Sequence, residues 1–252
     1  MKIYIYANCQ GIGIKEFLKA KINNSQITNI LNYEKLRTKE SLNYDEISKC
    51  DIFIYQHVSA SHGIYSTDIN ISNSIMNYLR EGCTKIAVPF VYNSSLWSMF
   101  EEGDDIINKE AILNLKANGF SLDKIFKSYD NFDLDFKYVF RDMYCRNALV
   151  EKEKNCDIKI ANFIEEEITN LKLFLTQNHP TSAIFVNIVN QILKLVGIQG
   201  NLNYKEFDEN YSQLPGIYKH NKYDLQYWNF KFPVERDGDE WTKELIKKVY
   251  GS

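Results

Sequence analysis

Two residues of the chain pair a reactive atom with a local context that would sharpen it: Cys9 and His179. Cys9 stands in Asn8-Cys9-Gln10-Gly11, between a β-rich run at 2–6 and a segment whose Ile12, Ile14, Phe17 and Leu18 recur near the helical period. A thiol at such a junction faces the unpaired N–H groups and the positive end of the helix dipole. Both favour the thiolate, which is the nucleophilic form. The plain alternative is a small cysteine packed in a turn, and position alone does not choose between the two. His179 lies in Gln177-Asn178-His179-Pro180-Thr181, where an amphipathic helix is expected to begin with Pro180 in its first turn. An imidazole there suits a general base or acid, or equally a capping hydrogen bond. His57, which follows Gln56 at the end of an apolar strand, has the same double reading. His62 and His220 read as surface residues.

Other signals are weaker. Gly11 and Gly13 echo a phosphate-binding glycine loop, but position 16 is Glu and no Lys-Ser/Thr follows, so tight packing of a turn on a helix explains them better. Arg141 and Arg146, near Lys137, could form an anion site, as could Lys85, but a solvated helix face accounts for the two arginines. Glu165-Glu166-Glu167 reads as an exposed face and Asp104-Asp105 as a loop. The five cysteines, at 9, 50, 83, 145 and 156, are odd in number and irregular in spacing. With no CxxC and no HExxH, neither a disulfide framework nor a metal site is expected.

The elements that must position these residues follow from pattern. Strands are expected at 2–6, 26–31, 51–56 and 85–89, with polar, helical or irregular chain at 34–49 and a helix near 71–81 stopped by Gly82. Three strands end at Cys9, at His57 and near Tyr92. If they are parallel, their carboxyl ends share one edge, where open α/β sheets place ligands. From 109 to 197 the pattern turns helical: a capped start at Ser121, a near-continuous apolar register over 151–175, and a helix from Pro180 that Gly197 and Gly200 end. Residues 201–236 are aromatic and poor in helix signals, which predicts an extended wrapping segment, and a short helix closes the chain at 239–250. The expected class is α/β: an open, mostly parallel sheet in the N-terminal half, a large helical second half and an extended aromatic C-terminal segment. The chain reads as one domain, with a sheet-forming half at 1–108, a helical half at 109–200 and the wrapping segment at 201–252.

Bulk properties narrow the function. Of 252 residues, 44% are hydrophobic and 25% charged, with a net charge of −3, so a real core forms and bulk charge points away from a nucleic-acid partner. No apolar run reaches the ~18–20 residues that span a bilayer, and the short N-terminal run is a strand, not a signal peptide. The expectation is a cytoplasmic protein.

Asn8-Cys9-Gln10 after the first strand, Tyr55-Gln56 at the third, and Leu173-Phe174-Leu175-Thr176-Gln177-Asn178-His179-Pro180-Thr181 together resemble the WcbI-type polysaccharide biosynthesis proteins, over roughly residues 1–200. The resemblance implies acetyltransferases of capsule synthesis that bind coenzyme A. More distantly the layout is similar to SGNH/GDSL hydrolases and acetyltransferases. In that likeness Cys9 stands where the nucleophilic serine stands and His179 where the catalytic histidine stands, but Thr176 replaces the Asp expected three residues before the histidine. On this basis the expected function is transfer of an acetyl group from acetyl-coenzyme A to a sugar hydroxyl. Cys9 and His179 are the catalytic candidates, with Gln10, Gly11, Gln56, His57 and Asn178 as oxyanion or substrate contacts. A carbohydrate esterase using the same residues and a non-catalytic module binding coenzyme A or glycan are the alternatives.

Overall fold

The computed structural model describes residues 1–208, 211, 216–234 and 237–252. Strand β1 (Lys2–Ala7) is followed after two residues by helix α1 (Gln10–Lys19), and β2 (Gln26–Leu31) returns beside β1. Helices α2 (Asn32–Thr38) and α3 (Tyr44–Ile47) lead to β3 (Ile52–Tyr55), and a long loop leads to β4 (Thr84–Ala87). These four strands form a parallel sheet in the order β2-β1-β3-β4. Their carboxyl ends therefore lie on one edge, as the sequence suggests.

A parallel sheet needs cover on both faces, and its strands are apolar on both. Ile3, Ile5, Ala7, Ile52, Ile54 and Ile86 look toward one core, while Tyr4, Tyr6 and Phe53 look toward the other with Ile47, Val58 and Ile75. The first face is covered by α1 and by a later helix over Ser182–Leu195. Gly13 permits their close approach: a Cβ there would lie 2.4 Å from Cζ of Phe185.

Beyond β4 the chain forms a hairpin of β5 (Phe100–Glu102) and β6 (Asp105–Ile107), with Gly103 at positive φ in its turn. Helices α4 (Glu110–Ala117), α5 (Leu122–Asp130), α6 (Tyr138–Glu153) and α7 (Ala161–Glu167) follow. A second small hairpin pairs β7 (Phe174–Thr176) with β8 (His179–Pro180), and the chain then enters α8 (Ser182–Leu195), α9 (Lys222–Trp228) and α10 (Gly238–Gly251). Ser121 caps α5 as expected, its Oγ accepting from the Lys124 amide. α4, α5 and α10 share a separate core around Ile112, Ile125, Tyr129, Leu245 and Val249.

Several expectations need correction. The helical register over 151–175 is broken twice. The buried Glu153 carboxylate accepts the amides of Ile160 and Ala161 and so starts α7 afresh, and the chain is a strand by Phe174. Pro180 ends β8 opposite Phe174, and Thr181 is the N-cap of α8, so this helix begins two residues later than Pro180 implies. The helix expected near 71–81 is only a 3₁₀ turn at Ile75–Tyr78, because Ser74 Oγ bonds Ser66 O at 2.7 Å and Asn77 Nδ2 bonds Ile71 O at 2.8 Å. Within the aromatic segment, α9 forms behind a capping box of Asn221 and Asp224. Residues 209, 210, 212–215, 235 and 236 of that segment lie outside the described residues.

Of two polar residues read as surface groups, His220 is buried and Arg141 half-buried. His220 stacks on Trp97 with ring centroids 5.4 Å apart. The Arg141 guanidinium, held among Ser94, Trp97, Ser98 and Phe136, donates to their backbone carbonyls. Replacing Gly13 with Ala should lower stability by about 1–3 kcal/mol through overpacking against Phe185. Urea unfolding reads this, and Phe185→Leu in the same chain should recover part of the loss.

Candidate functional site

One buried side chain closes the carboxyl edge of the sheet. Gln10, 2% exposed at the start of α1, donates from Nε2 to Val91 O at 2.7 Å and to Asn178 O at 3.0 Å. Its Oε1 accepts from Val91 N at 3.1 Å and from Gln56 Nε2 at 3.2 Å. The amide thus makes four hydrogen bonds, the number its donors and lone pairs allow. Gln56, also buried, accepts the Asn8 amide on Oε1 at 2.9 Å, and Asn8 Oδ1 accepts the Gln10 amide at 2.9 Å. The turn after β1, the end of β3, the chain after β4 and the β7–β8 turn are therefore tied into one network.

This network ties together the chain segments that carry the two chemical candidates. Gln10 directly follows Cys9 and Asn178 directly precedes His179, so the 3.0 Å bond between Gln10 and Asn178 joins the two segments across 168 residues of sequence. A second bond, from Asn93 N to Gln177 O at 2.7 Å, fixes the same turn to the chain after β4. Cys9 is 8% exposed and takes the N-cap position of α1, at the positive end of the helix dipole. Tyr33, just inside α2, lies close enough that charge on Cys9 contributes to the rise of its phenol pKa, after burial and Glu34.

His179 is half-buried, and burial pushes its pKa below the ordinary 6.5. The imidazole is accordingly neutral at pH 7, with a free lone pair to accept a proton. Its Nδ1 is buried and has no hydrogen-bond partner among the described residues. Thr176, which faces His179 across the hairpin, donates its Oγ1 to Asn178 Oδ1 at 3.2 Å and leaves the imidazole alone.

The remaining candidates separate. The Gln10 side chain is saturated, and the Gln10 and Gly11 amides are bonded inside the turn, to Asn8 Oδ1 and Asn8 O. In this structure Gln10 acts as a strut between loops; no donor on it points to a substrate. Gly11 serves close packing, since a Cβ there would meet Asn29 Oδ1 at 2.4 Å. Asn178 is half-buried beside His179. His57 is not at this place. Strand alternation turns it to the face opposite Gln56, where its exposed ring meets Asn155 O at 2.8 Å and lines a separate groove with Tyr55 and Lys85. Of the cations considered for an anion site, Arg141 gives both terminal nitrogens of its guanidinium to backbone carbonyls and Arg146 pairs with Glu165 at 2.6 Å.

Sequence reasoning missed the support around the pair. Glu102 accepts from Tyr92 at 3.1 Å and from Gln177 Nε2 at 3.3 Å, bracing the hairpin that carries His179. Beside that brace, Tyr92 and Asn93 open onto a cavity of about 100 Å³ whose walls include Leu149, Ile164 and Trp228. Neither feature has a local motif, because each joins residues from separate elements. Among the described residues no cluster of His, Cys, Asp or Glu is arranged to hold a metal, and no helix is long and apolar enough to cross a membrane.

A comparison with curated proteins gives no match. A solved structure described as WcbI, a polysaccharide biosynthesis enzyme, in its native form without a disulfide between coenzyme A and one of its cysteines, is similar in fold. The TM-score is 0.69 at 17% identity, over 100% of this chain and 90% of that one. The profile of the polysaccharide biosynthesis enzyme WcbI matches residues 2–104 and 112–201, which hold the Cys9 turn, the sheet edge and the His179 hairpin. With most of its length matched, the chain belongs to the WcbI family of polysaccharide biosynthesis enzymes.

Proposed function

We propose that this protein is a coenzyme A-dependent acyltransferase, moving an acetyl group onto a sugar hydroxyl during synthesis of a surface polysaccharide such as a capsule. The observation that carries the proposal is the Gln10–Asn178 bond, which ties the segment carrying a thiol at a helix start to the segment carrying a histidine kept neutral by burial. The similar structure, described as a form without a disulfide between coenzyme A and one of that protein's cysteines, supports the choice of donor.

The residues fit the thioester end of that donor. His179 has a buried, unpartnered nitrogen, and Cys9 has the charge environment that favours a nucleophilic sulfur. Bound there, coenzyme A supplies the acyl group as a thioester. Cys9 and His179 would flank it, and the largely apolar cavity beside Asn93 suits the acyl group or the neighbouring arm. Two routes use the pair differently. In one, His179 takes the proton from the Cys9 thiol as the sulfur attacks the thioester carbonyl; the bond from that carbonyl to coenzyme A breaks, and the imidazolium gives the proton to the departing coenzyme A thiolate. The imidazole then takes the proton of the incoming sugar hydroxyl, whose oxygen displaces the acyl group from Cys9, and returns the proton to the Cys9 sulfur. In the other, His179 deprotonates the hydroxyl directly and Cys9 shapes the pocket. Asn178, the residue before His179, would donate to the developing oxyanion through its Nδ2. Gln10 positions both segments.

Intact mass after exposure to acetyl-coenzyme A separates the routes. Sulfur-borne transfer gives one acetyl adduct, absent in Cys9→Ala together with turnover; no adduct and full turnover in Cys9→Ala leaves the direct route. His179→Asn should lower kcat by about 10²–10⁴-fold on either route, and unchanged turnover contradicts the proposal. Because the neutral imidazole is the active base, kcat/KM should fall as pH drops through the lowered His179 pKa, below 6.5, and hold level above it. The same shift means that the unfolded chain binds this proton more readily. Its contribution to stability is therefore present above 6.5 and lost on acidification, and His179→Asn removes that part of the pH dependence. Gln10→Leu keeps the volume but strands Val91 N–H, Val91 O and Asn178 O. It should cost about 2–4 kcal/mol and reduce kcat more than it raises KM.

A further inference from the structure

We propose that Cys50 and Cys83 form an oxidation site that converts to a disulfide on contact with a hydroperoxide. Sequence spacing does not pair these cysteines, but the fold does. Each directly precedes the neighbourhood of a strand, Cys50 two residues before Ile52 of β3 and Cys83 one residue before Thr84 of β4, and β3 and β4 are adjacent and parallel. Their Sγ atoms lie 3.3 Å apart and both thiols are free. About 1.3 Å of approach would bring the sulfurs to bonding distance. The backbone at both positions is held in place: Arg80 Nε donates to Cys50 O at 3.0 Å, Cys83 N donates to Arg80 O at 3.2 Å, and Thr84 N donates to Asp51 O at 2.9 Å.

The two thiols differ in the way such chemistry requires. Cys50 is sealed from solvent, whereas Cys83 is partly exposed. The hydrogen bond from Cys50 lowers the Cys83 pKa, and the nearby Lys85 and Arg80 charges lower it further; the same contact, with burial, raises that of Cys50. Cys83 is therefore the attacking thiolate and Cys50 the resolving thiol. The Cys83 sulfur attacks a peroxide oxygen, so an S–O bond forms, the O–O bond breaks, and hydroxide leaves and takes up the proton that Cys83 released. The Cys50 sulfur then attacks the sulfenic sulfur. The S–S bond forms, the S–O bond breaks, and the Cys50 proton leaves with the hydroxyl as water. Two thiols are oxidised, and one hydrogen peroxide is reduced to two waters. The resulting clasp ties the amino ends of β3 and β4, the end of the sheet opposite Cys9, and closes the loop that carries the His57 groove.

The full chain treated with a small excess of hydrogen peroxide, alkylated with iodoacetamide and mapped by mass spectrometry tests this. The expected product is a peptide pair linked through Cys50 and Cys83, reversed by dithiothreitol, with Tm raised by ~5–10 °C. In Cys50→Ser, Cys83 should stop at the sulfenic acid and be trapped by dimedone; in Cys83→Ser, Cys50 should remain reduced. Full alkylation of both cysteines after peroxide, or linkage of either one to a different cysteine, overturns the proposal. So does a lack of dimedone label on Cys83 in Cys50→Ser.

Discussion

Everything at the carboxyl edge of this sheet depends on a single buried amide. Gln10 has two donors and two acceptor lone pairs, all satisfied by groups from three other parts of the chain. A buried polar group left unpaired costs more than a made bond gains. The arrangement is therefore self-enforcing: if the β7–β8 turn or the chain after β4 moves, Gln10 is left with an unmet donor or acceptor. That penalty, more than the strength of any one bond, holds the Cys9 and His179 segments together.

The clamp is backed by the C-terminal half. The chain after β4, which Gln10 grips at Val91, is held from behind by Arg141 of α6, whose guanidinium bonds the carbonyls of Ser94, Trp97 and Ser98. Asp224 of α9 accepts the Ser98 amide at 2.6 Å, and Trp228 Nε1 donates to Ser95 O at 3.2 Å. On the other side of the His179 hairpin, Tyr218 N donates to Leu175 O at 2.8 Å. Among the described residues, the aromatic C-terminal segment thus supports the proposed site by bracing it and lends Trp228 to the wall of the neighbouring cavity. Such a division suits the proposed chemistry: the candidate pair comes from the sheet edge and a short hairpin, while neighbouring elements brace both.

Much of the sheet could be read in the sequence, because parallel strands buried on both faces leave short apolar runs such as Ile52–Tyr55 that end abruptly in polar residues. Cys9 and His179 stand out as candidates for a similar reason, each sitting where an element changes type. The strut role of Gln10 was not visible. A glutamine beside a candidate nucleophile looks like an oxyanion donor, and its four hydrogen bonds to groups 46 to 168 residues away give it another role. Arg141 and His220 were misplaced because a charge pattern on a helix does not reveal that backbone carbonyls or a tryptophan ring will cover it. The helix start at α7 escaped for a related reason: it depends on Glu153 reaching forward to Ile160 and Ala161, a bond that periodicity cannot encode. His57 shows the converse limit. It shares a strand end with Gln56, but a period of two sends the neighbours to opposite faces.

The most direct measurement of the central claim is an experimental structure of this protein with coenzyme A. The account predicts that the thiol end of the ligand lies between Cys9 and His179, with the Gln10–Asn178 bond intact. Coenzyme A bound with its thiol end at the His57 groove, or elsewhere away from the edge of the sheet that Gln10 closes, would contradict it.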